Sequence, residues 1–388
     1  MKICIDLTPN EMMDRHGGFG RYGIYLVEKL LQLPVEERRG IEFFALPWSD
    51  RPPVPAEDIL DRNMLRLPAI PVWKHRWQRR LLTGALLHQF GIDLFHATHP
   101  IALPYATSCK LVASTHDIIP VVFPVHTRTC RARRDLAREK QKQWVRHMRP
   151  DHVVASSETT KQDLISVLQI PSERISVIHL GVDTGIFNSH VTEGESQRIR
   201  EKYGLPERFF ICVGSDHYRK NQRRLFDAWR SVSSSIDEGL VLVGRALYSK
   251  MFQEIQRESL VNGYADNFRW LQGIDDAELP ALYRMATALI APSMYEGFGL
   301  TLLEAMACGT PVAAAGGGSY QEVGGEDADY FDPQSTEQMS DCLVALSKKP
   351  AKRQKMRQQG LKRVKNFLWD GTAYATLALY RKLLGIDF

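Results

Sequence analysis

The sequence predicts an α/β protein with two domains, each organised around a parallel β-sheet. Short apolar runs alternate with stretches of helical periodicity through both halves of the 388-residue chain, a pattern typical of parallel strands joined by helices. The length fits two domains of ordinary size. Hydrophobic residues make up 44% of the chain and charged residues 24%, which indicates a globular protein with an ample core.

The predicted strands follow one another at regular intervals along the chain. In the first half they are 1–9, 41–46, 93–98, 111–115, 153–157 and 175–182. In the second half they are 209–213, 240–243, 268–271, 289–291 and 311–315. A helix is predicted from the glycines at 17–18 to about Leu33, and Ser156 or Ser157 is expected to cap the helix after the fifth strand.

The stretch 292–311 carries the most specific signal in the sequence. An apolar strand at 289–293 is followed by a loop at 294–298 and by a helix of strong helix formers at 299–308. A glycine-containing turn before a helix favours phosphate binding, because the N–H groups of Leu300 and Thr301 and the helix dipole all face an anion. Glu296 lies in the loop, and Glu304 lies about one turn into the helix.

These two acids and the residues between them resemble a known family signature. Glu296 and Glu304, separated by GFGLTLL, are similar to the signature of the retaining glycosyltransferases of family four, which have the GT-B fold. The resemblance implies two Rossmann-like parallel-sheet domains that face each other across a cleft. It also implies that Glu296 contacts the donor sugar, that Glu304 binds the ribose, and that the segment Phe298, Gly299, Leu300 and Thr301 holds the diphosphate.

Other segments of the second half match the donor site of the same family. Lys220 resembles the lysine that neutralises the donor diphosphate. Where the family often has an arginine shortly after Gly214, this chain has Ser and Asp, so either Arg219 or Arg245 is expected to supply the second cation. Gly273 and Ile274 correspond to the residues that touch the base.

In the first half, the resemblance points to two further segments. GGFGRY at 17–22 resembles the glycine loop that meets the donor across the cleft, with Gly18 and Arg21 near the phosphates. His116 and Asp117 follow a predicted strand, where open α/β sheets bind ligands, and they resemble the motif on the acceptor side. The resemblance thus gives Glu296, His116 and Lys220 as catalytic candidates. The remaining histidines singled out are interpreted as structural: His96, His99, His152 and His179.

The predicted domain boundaries come from the same comparison. Residues 1–186 form an acceptor-binding domain and residues 187–371 a nucleotide-sugar-binding domain. The polar stretch 184–201 is interpreted as the linker between them. A final helix, within 372–388, is expected to return to the first domain.

No metal or other cofactor is expected, because the nucleotide sugar is a substrate. Six cysteines stand far apart without a CxxC pair, which indicates reduced thiols and neither a disulfide framework nor a zinc site. Asp327-Ala-Asp329 imitates a metal-binding Asp-x-Asp motif, but a GT-B enzyme needs no such site.

Positive charge is unevenly distributed although the net charge is only +5. The segment 126–149 holds nine Lys or Arg against two acids, and 73–80 is basic and aromatic. The default interpretation of such a run is a solvated helix face, and the alternative is a surface for anionic lipid headgroups. Nucleic acid is not expected as a partner. Without a long apolar run or a signal peptide, we expect a cytoplasmic protein, peripheral on the inner face of the membrane if the basic surface binds lipid.

The resemblance leads to one function and three alternatives. The segments HDIIP, RKN and SMYEGFGLTLLEAMACGTPV are most similar to bacterial mannosyltransferases of surface-polysaccharide assembly. We therefore expect retaining transfer of mannose from GDP-mannose to a hydroxyl of an oligosaccharide or lipid-linked acceptor. The alternatives are a UDP-sugar-dependent glucosyl- or N-acetylglucosaminyltransferase, a GT-B nucleotide-sugar epimerase, and a non-catalytic sugar-nucleotide-binding protein.

Overall fold

The computed structural model describes residues 1–7, 18–46, 76–122, 150–192, 194–246 and 249–386. The contacts of these residues divide the chain into two compact units. Unit 1 holds the described residues up to Gly181 and takes up the chain again at Trp369, and unit 2 is Val182–Leu368. The predicted boundaries stand close by, at 186 and 371.

Unit 1 contains a six-stranded sheet with the strand order β2-β1-β3-β4-β5-β6. Every neighbouring pair is parallel, and helices cross over between most consecutive strands. The strands are β1 Lys2–Asp6, β2 Glu42–Leu46, β3 Leu94–Ala97, β4 Lys110–Thr115, β5 His152–Ala155 and β6 Ile175–Val177. The helices before the second unit are α1 Gly18–Gln32, α2 Arg76–Gln89, α3 Ile119–Val122 and α4 Glu158–Leu168.

Unit 2 contains a second six-stranded parallel sheet, with the order β12-β11-β10-β7-β8-β9. Its strands are β7 Phe209–Val213, β8 Gly239–Val243, β9 Phe268–Leu271, β10 Ala288–Ala291, β11 Val312–Ala315 and β12 Asp329–Phe331. This is the strand order of dinucleotide-binding domains, in which the winding direction reverses between the first and fourth strands. The reversal here lies between β7 and β10, and a ligand crevice is therefore expected beyond their carboxyl ends.

The helices of unit 2 cover both faces of its sheet in the usual α/β manner. They are α5 Glu195–Tyr203, α6 Gln222–Val232, α7 Ser249–Val261, α8 Leu279–Met285, α9 Leu300–Ala307, α10 Gly318–Gly324, α11 Thr336–Lys348 and α12 Pro350–Arg363. The predicted strand–loop–helix at 289–308 is confirmed as β10, a loop and α9.

The last helix, α13 (Trp369–Leu384), packs against α1 in unit 1. The Trp369 ring stacks on Tyr25 with the centroids 5.1 Å apart, and Lys29 Nζ lies 3.1 Å from Asp370 Oδ1. The return of the chain to the first unit is thus observed, with the helix starting three residues before the predicted position at 372.

Two sequence predictions around the junction are wrong. The strand predicted at 175–182 pairs only over Ile175–Val177, and Val182 instead forms a bridge with Leu368. The stretch 184–201, interpreted as a linker, contains most of helix α5. Arg284 holds this segment against α8 by an ion pair to Glu195, and this tertiary contact is invisible in a polar sequence.

The capping prediction after β5 is confirmed. Ser157 is the N-cap of α4, and its hydroxyl accepts a hydrogen bond from the Thr160 N–H. Ser156 instead donates to the carbonyl oxygen of His116 at 2.8 Å. The two neighbouring serines therefore have different roles: Ser157 caps the start of α4, and Ser156 fixes the strand end that carries His116.

Candidate functional site

The carboxyl ends of β7 and β8 approach each other more closely than side chains would allow. Gly214 follows β7 with φ +152° and Gly244 follows β8 with φ +151°. A Cβ atom on Gly244 would lie 2.0 Å from the Gly214 carbonyl oxygen, and one on Gly214 would lie 3.1 Å from Cδ of Lys220. The two glycines therefore allow the strand ends to pack and let the Lys220 stem lie across the first of them.

A short 3-10 turn, Tyr218–Lys220, places two cations beside the end of β10. Asn221 ends this turn with φ +58°, and its side-chain amide donates to the carbonyl oxygens of Pro292 and Pro333 at 3.1 and 2.7 Å. The Met294 N–H donates to the Arg219 carbonyl oxygen at 2.9 Å. These bonds tie the cationic turn to the loop that carries Glu296.

Glu296 lies between the two cations. Its Oε1 is 2.7 Å from Lys220 Nζ and its Oε2 is 2.7 Å from Arg219 Nη1. The side chains of Glu296, Arg219 and Lys220 are only 13%, 14% and 17% exposed. Because water is largely excluded, the charges interact strongly, and the three side chains form one electrostatic unit with a net positive charge.

The pKa of Glu296 reflects this environment. Burial by itself would raise the pKa of the carboxyl, but the nearby charges of Lys220 and Arg219 and the Lys220 hydrogen bond bring it from 4.5 down to about 2. Glu296 is therefore ionised at any pH at which the protein would work. It can accept hydrogen bonds from sugar hydroxyls and interact with positive charge that develops on a sugar ring, but it is not placed to donate a proton.

The predicted phosphate-binding turn is present at the start of α9. Gly299 is the residue before the helix, with φ +117°, and a Cβ there would lie 2.9 Å from Tyr320 Cδ1. Leu300 and Thr301 form the first two helical positions, where backbone N–H groups have no partner within the helix. Ser319 donates to the Glu296 carbonyl oxygen at 2.8 Å, which ties the loop to the following glycine-rich segment.

Glu304 lies on the same helix and is held by a residue that the sequence analysis did not single out. The Tyr283 hydroxyl donates to Glu304 Oε2 at 3.0 Å. The tyrosine is on α8, and its side chain is fully buried. No local sequence signal predicts this pair, because the two residues meet only when α8 packs against α9.

The structure separates the two candidates for the second cation. Arg219 contacts Glu296 directly, whereas Arg245, after β8, is exposed, and its carbonyl oxygen accepts from the Asp216 N–H at 3.2 Å. Arg219 is therefore the arginine that belongs to the electrostatic unit around Glu296, and Arg245 lies at the rim formed by the end of β8.

The remaining predicted donor residues of unit 2 lie at strand ends or in the core. Gly273 follows β9 with φ +65°, next to Ile274, and the preceding Gln272 accepts from the Ala246 N–H through Oε1 at 3.1 Å. The Phe298 ring is buried against Phe367, with the ring centroids 6.1 Å apart. The ring of Phe298 thus packs inside the protein, and the donor role of this residue stays a prediction.

The candidates of unit 1 form a separate group. His116 follows β4, is only 6% exposed, and meets the Tyr22 ring edge-on at 4.5 Å between centroids. Burial lowers its pKa to about 3, with smaller contributions from His99 and His96, so the imidazole is neutral. A neutral, buried imidazole suits contact with a sugar better than transfer of a proton. A catalytic role for His116 stays a prediction.

Asp117 and the glycine loop complete that group. Asp117 Oδ1 accepts from the Ile119 N–H at 3.0 Å, which turns the chain into α3. Gly18 is the first residue of α1, and the Arg21 side chain lies outside the described part of the structure, as do most of the segments 73–80 and 126–149. The donor and acceptor roles of these residues stay predictions.

Of the four histidines that were interpreted as structural, His96 and His152 have side-chain contacts of that kind, and His179 is bonded through its backbone, whereas the interpretation of His99 stays a prediction. His96 is buried and bonds through its two ring nitrogens to Tyr380 and Ser114 at 2.5 and 2.7 Å. His152 bonds to the Ser176 hydroxyl at 2.9 Å, and the carbonyl oxygen of His179 accepts from Thr372 at 2.8 Å.

The acidic motif at 327–329 is engaged in ion pairs. Asp327 pairs with Arg363 at 3.8 Å and Asp329 with Lys352, so both carboxylates have cationic neighbours. Among the residues that the structure describes, no group of three or more His, Cys, Asp or Glu side chains is arranged to hold a metal ion. Over the same ranges, no helix combines the length and the apolar character needed to span a bilayer.

Two family models cover most of the chain, one for each unit. "Glycosyltransferase Family 4" matches residues 16–185, and "Glycosyl transferases group 1" matches residues 195–363, the region that contains Lys220, Glu296 and Glu304. The chain belongs to glycosyltransferase family four. The α/β GT-B fold predicted from the sequence, with two Rossmann-like parallel sheets, is confirmed by this membership and by the two strand orders.

Two curated relatives of family four illustrate the range of similarity. The chain is 26% identical over 235 residues to the O-antigen chain mannosyltransferase B of Escherichia coli. The matched region covers 60% of each chain. It is 30% identical over 252 residues to the MMP alpha-(1->4)-mannosyltransferase of Mycolicibacterium hassiacum, with 63% of this chain and 57% of the relative covered. The chain thus spans about three fifths of the length of these relatives.

Solved structures share the whole architecture. The sucrose-phosphate synthase from Thermosynechococcus elongatus matches with a TM-score of 0.76 at 22% identity, and 100% of both chains is covered. A glycosyltransferase from Rickettsia africae matches with the same TM-score at 16% identity. At these identities the likeness describes the fold of family four and leaves the substrates open.

Proposed function

We propose that this protein is a hexosyltransferase that moves mannose from GDP-mannose to a hydroxyl group of an oligosaccharide or lipid-linked acceptor in surface-polysaccharide synthesis. The anomeric configuration of the sugar is retained. The observation that carries the proposal is the electrostatic unit of Glu296, Arg219 and Lys220 at the end of β10, next to the turn at Gly299.

This arrangement suits the departure of a diphosphate. Negative charge develops on the leaving phosphate as the bond to the sugar breaks, and buried cations stabilise such charge more than water does. Lys220, Arg219 and the first N–H groups of α9 supply that stabilisation from three directions. Glu296 then accepts hydrogen bonds from the hydroxyls of the sugar, and Glu304 accepts hydrogen bonds from the hydroxyls of the ribose.

Retention follows from the family resemblance rather than from a nucleophile. In family four the leaving phosphate is thought to help deprotonate the acceptor hydroxyl on the same face of the sugar. Because Glu296 is ionised and paired with two cations, we assign it to binding the donor sugar and not to a covalent intermediate. Exclusion of water from the site during transfer would limit hydrolysis.

The relatives support mannose as the transferred sugar. Two of them are named as mannosyltransferases, one of the O-antigen chain and one that forms an alpha-(1->4) linkage. Other relatives at 30–32% identity are named D-inositol 3-phosphate glycosyltransferases, so the donor needs a direct test against UDP sugars.

The first experiment is a thermal-shift screen of the full chain with GDP, UDP and ADP. A bound nucleotide raises the melting temperature by mass action, and at a concentration of one hundred times Kd it adds about 2.7 kcal/mol to the free energy of unfolding. We expect the largest shift with GDP. A larger shift with UDP would indicate a UDP sugar as the donor in place of GDP-mannose. The absence of a shift with any nucleotide would contradict the proposed function.

The second experiment follows transfer itself. The protein is incubated with GDP-mannose and a panel of oligosaccharide and lipid-linked acceptors, and NMR of the product gives the anomeric configuration. We expect the α-linkage of the donor in the product, whereas inversion would contradict the proposal. A parallel incubation without acceptor detects an epimerase, because an epimerase forms a different sugar from the donor, whereas a transferase without acceptor can only hydrolyse the donor to GDP and mannose.

Metal independence and location belong to the same proposal. The cations of the chain neutralise the diphosphate, so we expect transfer to continue in EDTA, and loss of transfer that Mg²⁺ restores would contradict this.

We place the enzyme at the cytoplasmic face of the membrane, with unit 1 against anionic lipid. Sedimentation with vesicles that contain anionic lipid, compared with neutral vesicles, tests that location.

A further inference from the structure

Tyr283 is a buried polar side chain that the proposed mechanism has not yet used. Its ring is fully buried on α8, and its hydroxyl donates to Glu304 Oε2 at 3.0 Å. Tyrosine hydroxyls that lie inside a protein need a hydrogen-bond partner. The partner here is a carboxylate that the proposed function assigns to the nucleotide.

The backbone of Tyr283 is fixed as firmly as its hydroxyl. The carbonyl oxygen of Tyr283 accepts from the Thr310 hydroxyl at 2.6 Å and from the Ala286 N–H at 3.1 Å. The first bond joins α8 to the turn that ends α9. Since α9 carries Glu304 and α8 carries Tyr283, this bond helps to fix the positions of the two residues relative to each other.

The junction segment adds a third contact. Asp183 turns the chain, because its carbonyl oxygen accepts from the Phe187 N–H at 2.8 Å and its Oδ1 accepts from the Gly185 N–H at 2.9 Å. This turn brings the buried Phe187 ring to 6.2 Å from the Tyr283 ring, measured between centroids. The turn at Asp183 thus places Phe187 against the Tyr283 ring and supports its position.

We propose that Tyr283 is the positioning residue for Glu304, holding its carboxylate in the orientation that accepts the ribose hydroxyls of the nucleotide. This inference rests on the proposed function of the same site. A carboxylate has roughly four acceptor positions, so it accepts the tyrosine O–H and ribose hydroxyls together. A donor fixed by packing removes rotamer freedom from Glu304 before the nucleotide arrives, which lowers the entropic cost of binding.

Burial also keeps the tyrosine in its donor form. Burial and the neighbouring charge of Glu304 both raise the pKa of Tyr283 well above its ordinary value of 10. The hydroxyl therefore stays protonated throughout the pH range in which the protein would work. The bond to Glu304 is charge-assisted, which makes it stronger than a bond between neutral groups.

The test is Tyr283→Phe, which removes the hydroxyl and keeps the ring. Isothermal titration measures the affinity for whichever of GDP, UDP and ADP the wild-type protein binds most tightly, and for its 2′,3′-dideoxy form. We expect about tenfold weaker binding of the ribonucleotide and unchanged binding of the dideoxynucleotide, because only the former presents hydroxyls to Glu304. In transfer assays the donor KM rises while kcat is nearly unchanged.

A matched control is available in the same unit. Tyr203 also donates its hydroxyl to a glutamate, Glu278, which lies outside the proposed site. Tyr203→Phe is expected to leave both nucleotide affinities unchanged. If it weakens binding as much as Tyr283→Phe does, the effect is one of general stability and the inference is overturned.

A second variant covers the case in which Tyr283→Phe does not fold. Phe187→Leu keeps the hydroxyl but loosens the packing behind the tyrosine, and it should weaken ribonucleotide binding a few-fold while sparing the dideoxy form. Equal losses for both nucleotides, or no loss in either variant, overturn the inference and leave the proposed function standing. If the wild-type protein binds no nucleoside diphosphate, the proposed function itself fails.

Discussion

Glu296 determines the charge of the candidate site, because Arg219 and Lys220 both face its carboxylate at 2.7 Å. The glutamate thus has two roles under the proposed function. It holds the donor sugar, and it neutralises part of the positive charge that attracts the diphosphate. A substitution that removes the charge separates the two roles, because it affects binding and transfer in opposite directions.

Glu296→Gln is predicted to bind GDP and pyrophosphate more tightly than the wild-type protein and to transfer sugar about a hundredfold more slowly. Binding strengthens because two buried cations lose their internal counter-ion, and transfer slows because the donor sugar loses a charged contact. Isothermal titration and initial rates measure the two effects. Glu326→Gln, an exposed acid of the same unit, is the control, and weaker diphosphate binding in Glu296→Gln would refute the assignment.

The same residue gives a prediction about acid stability. A carboxyl whose pKa falls from 4.5 to about 2 on folding contributes stability that is fully present above pH 4.5 and is lost as the pH falls towards 2. The free energy of unfolding should therefore decrease over this window more steeply for the wild-type protein than for Glu296→Gln. Urea unfolding at neutral pH and at points within the window measures the difference, and parallel curves would contradict it.

At the scale of residues, the sequence predicts those candidates that belong to a local sequence motif. Glu296 and Gly299 were predicted because the strand, the turn and the helix start occupy one continuous segment, and Lys220 was predicted from its family resemblance. Tyr283 was not, because its partner stands 21 residues further along the chain and an aromatic residue on an apolar helix face reads as ordinary core. The choice between Arg219 and Arg245 likewise required the geometry.

At the scale of elements, the start of α9 depends on one glycine. Gly299 has φ +117°, and the Tyr320 ring occupies the space that a side chain at this position would need. An L-residue in such a conformation is strained, and a Cβ would also push the ring away. Both effects would displace the N–H groups that the proposal assigns to the diphosphate.

Gly299→Ala is predicted to lower the free energy of unfolding by about 1–3 kcal/mol and to weaken GDP binding more than a purely structural change would. Gly371→Ala is the matched control, because a Cβ there meets nothing within 4 Å and alanine is favoured within helix α13. Chemical denaturation and titration measure the two quantities. Unchanged GDP affinity in Gly299→Ala would show that this turn does not hold the phosphates.

Elements with an amphipathic pattern were predicted well, and elements that depend on tertiary contacts were not. Most of helix α5 falls in the stretch that was interpreted as a linker because it is polar. Ile199 is the only buried residue of this helix, so its sequence gives no pattern of a packed helix. The strand predicted at 175–182 was too long because an apolar run suggests pairing over its whole length. Its residues look apolar enough to pair, but only three of them have a strand beside them.

At the scale of the whole molecule, the proposed nucleotide contacts are concentrated in unit 2. Arg219, Lys220, Glu296, Gly299 and Glu304 all lie within Val182–Leu368, a continuous segment with its own sheet and core. Unit 1 contributes Gly18, Arg21 and His116 to the prediction. Most of the predicted donor residues therefore lie in unit 2, whereas unit 1 holds the predicted acceptor-side residue His116 together with the predicted donor residues Gly18 and Arg21.

The fragment Val182–Leu368 is predicted to fold alone and to bind GDP within about tenfold of the affinity of the full chain, but to transfer no sugar. Binding persists because the cationic unit and the start of α9 are intact, and transfer requires the acceptor side. Circular dichroism, titration and a transfer assay test the three statements. A folded fragment without GDP affinity would mean that unit 1 holds the nucleotide.

The path of the chain has a consequence for biosynthesis. Unit 2 is continuous, but unit 1 is closed by α13, whose Trp369 stacks on Tyr25 and whose Tyr380 bonds to the buried His96. All the strands of unit 1 are therefore synthesised before Val182–Leu368, whereas α13 is synthesised after it. The half of the polypeptide that is made first thus stays incomplete until Trp369–Leu384 has been translated and has packed against α1.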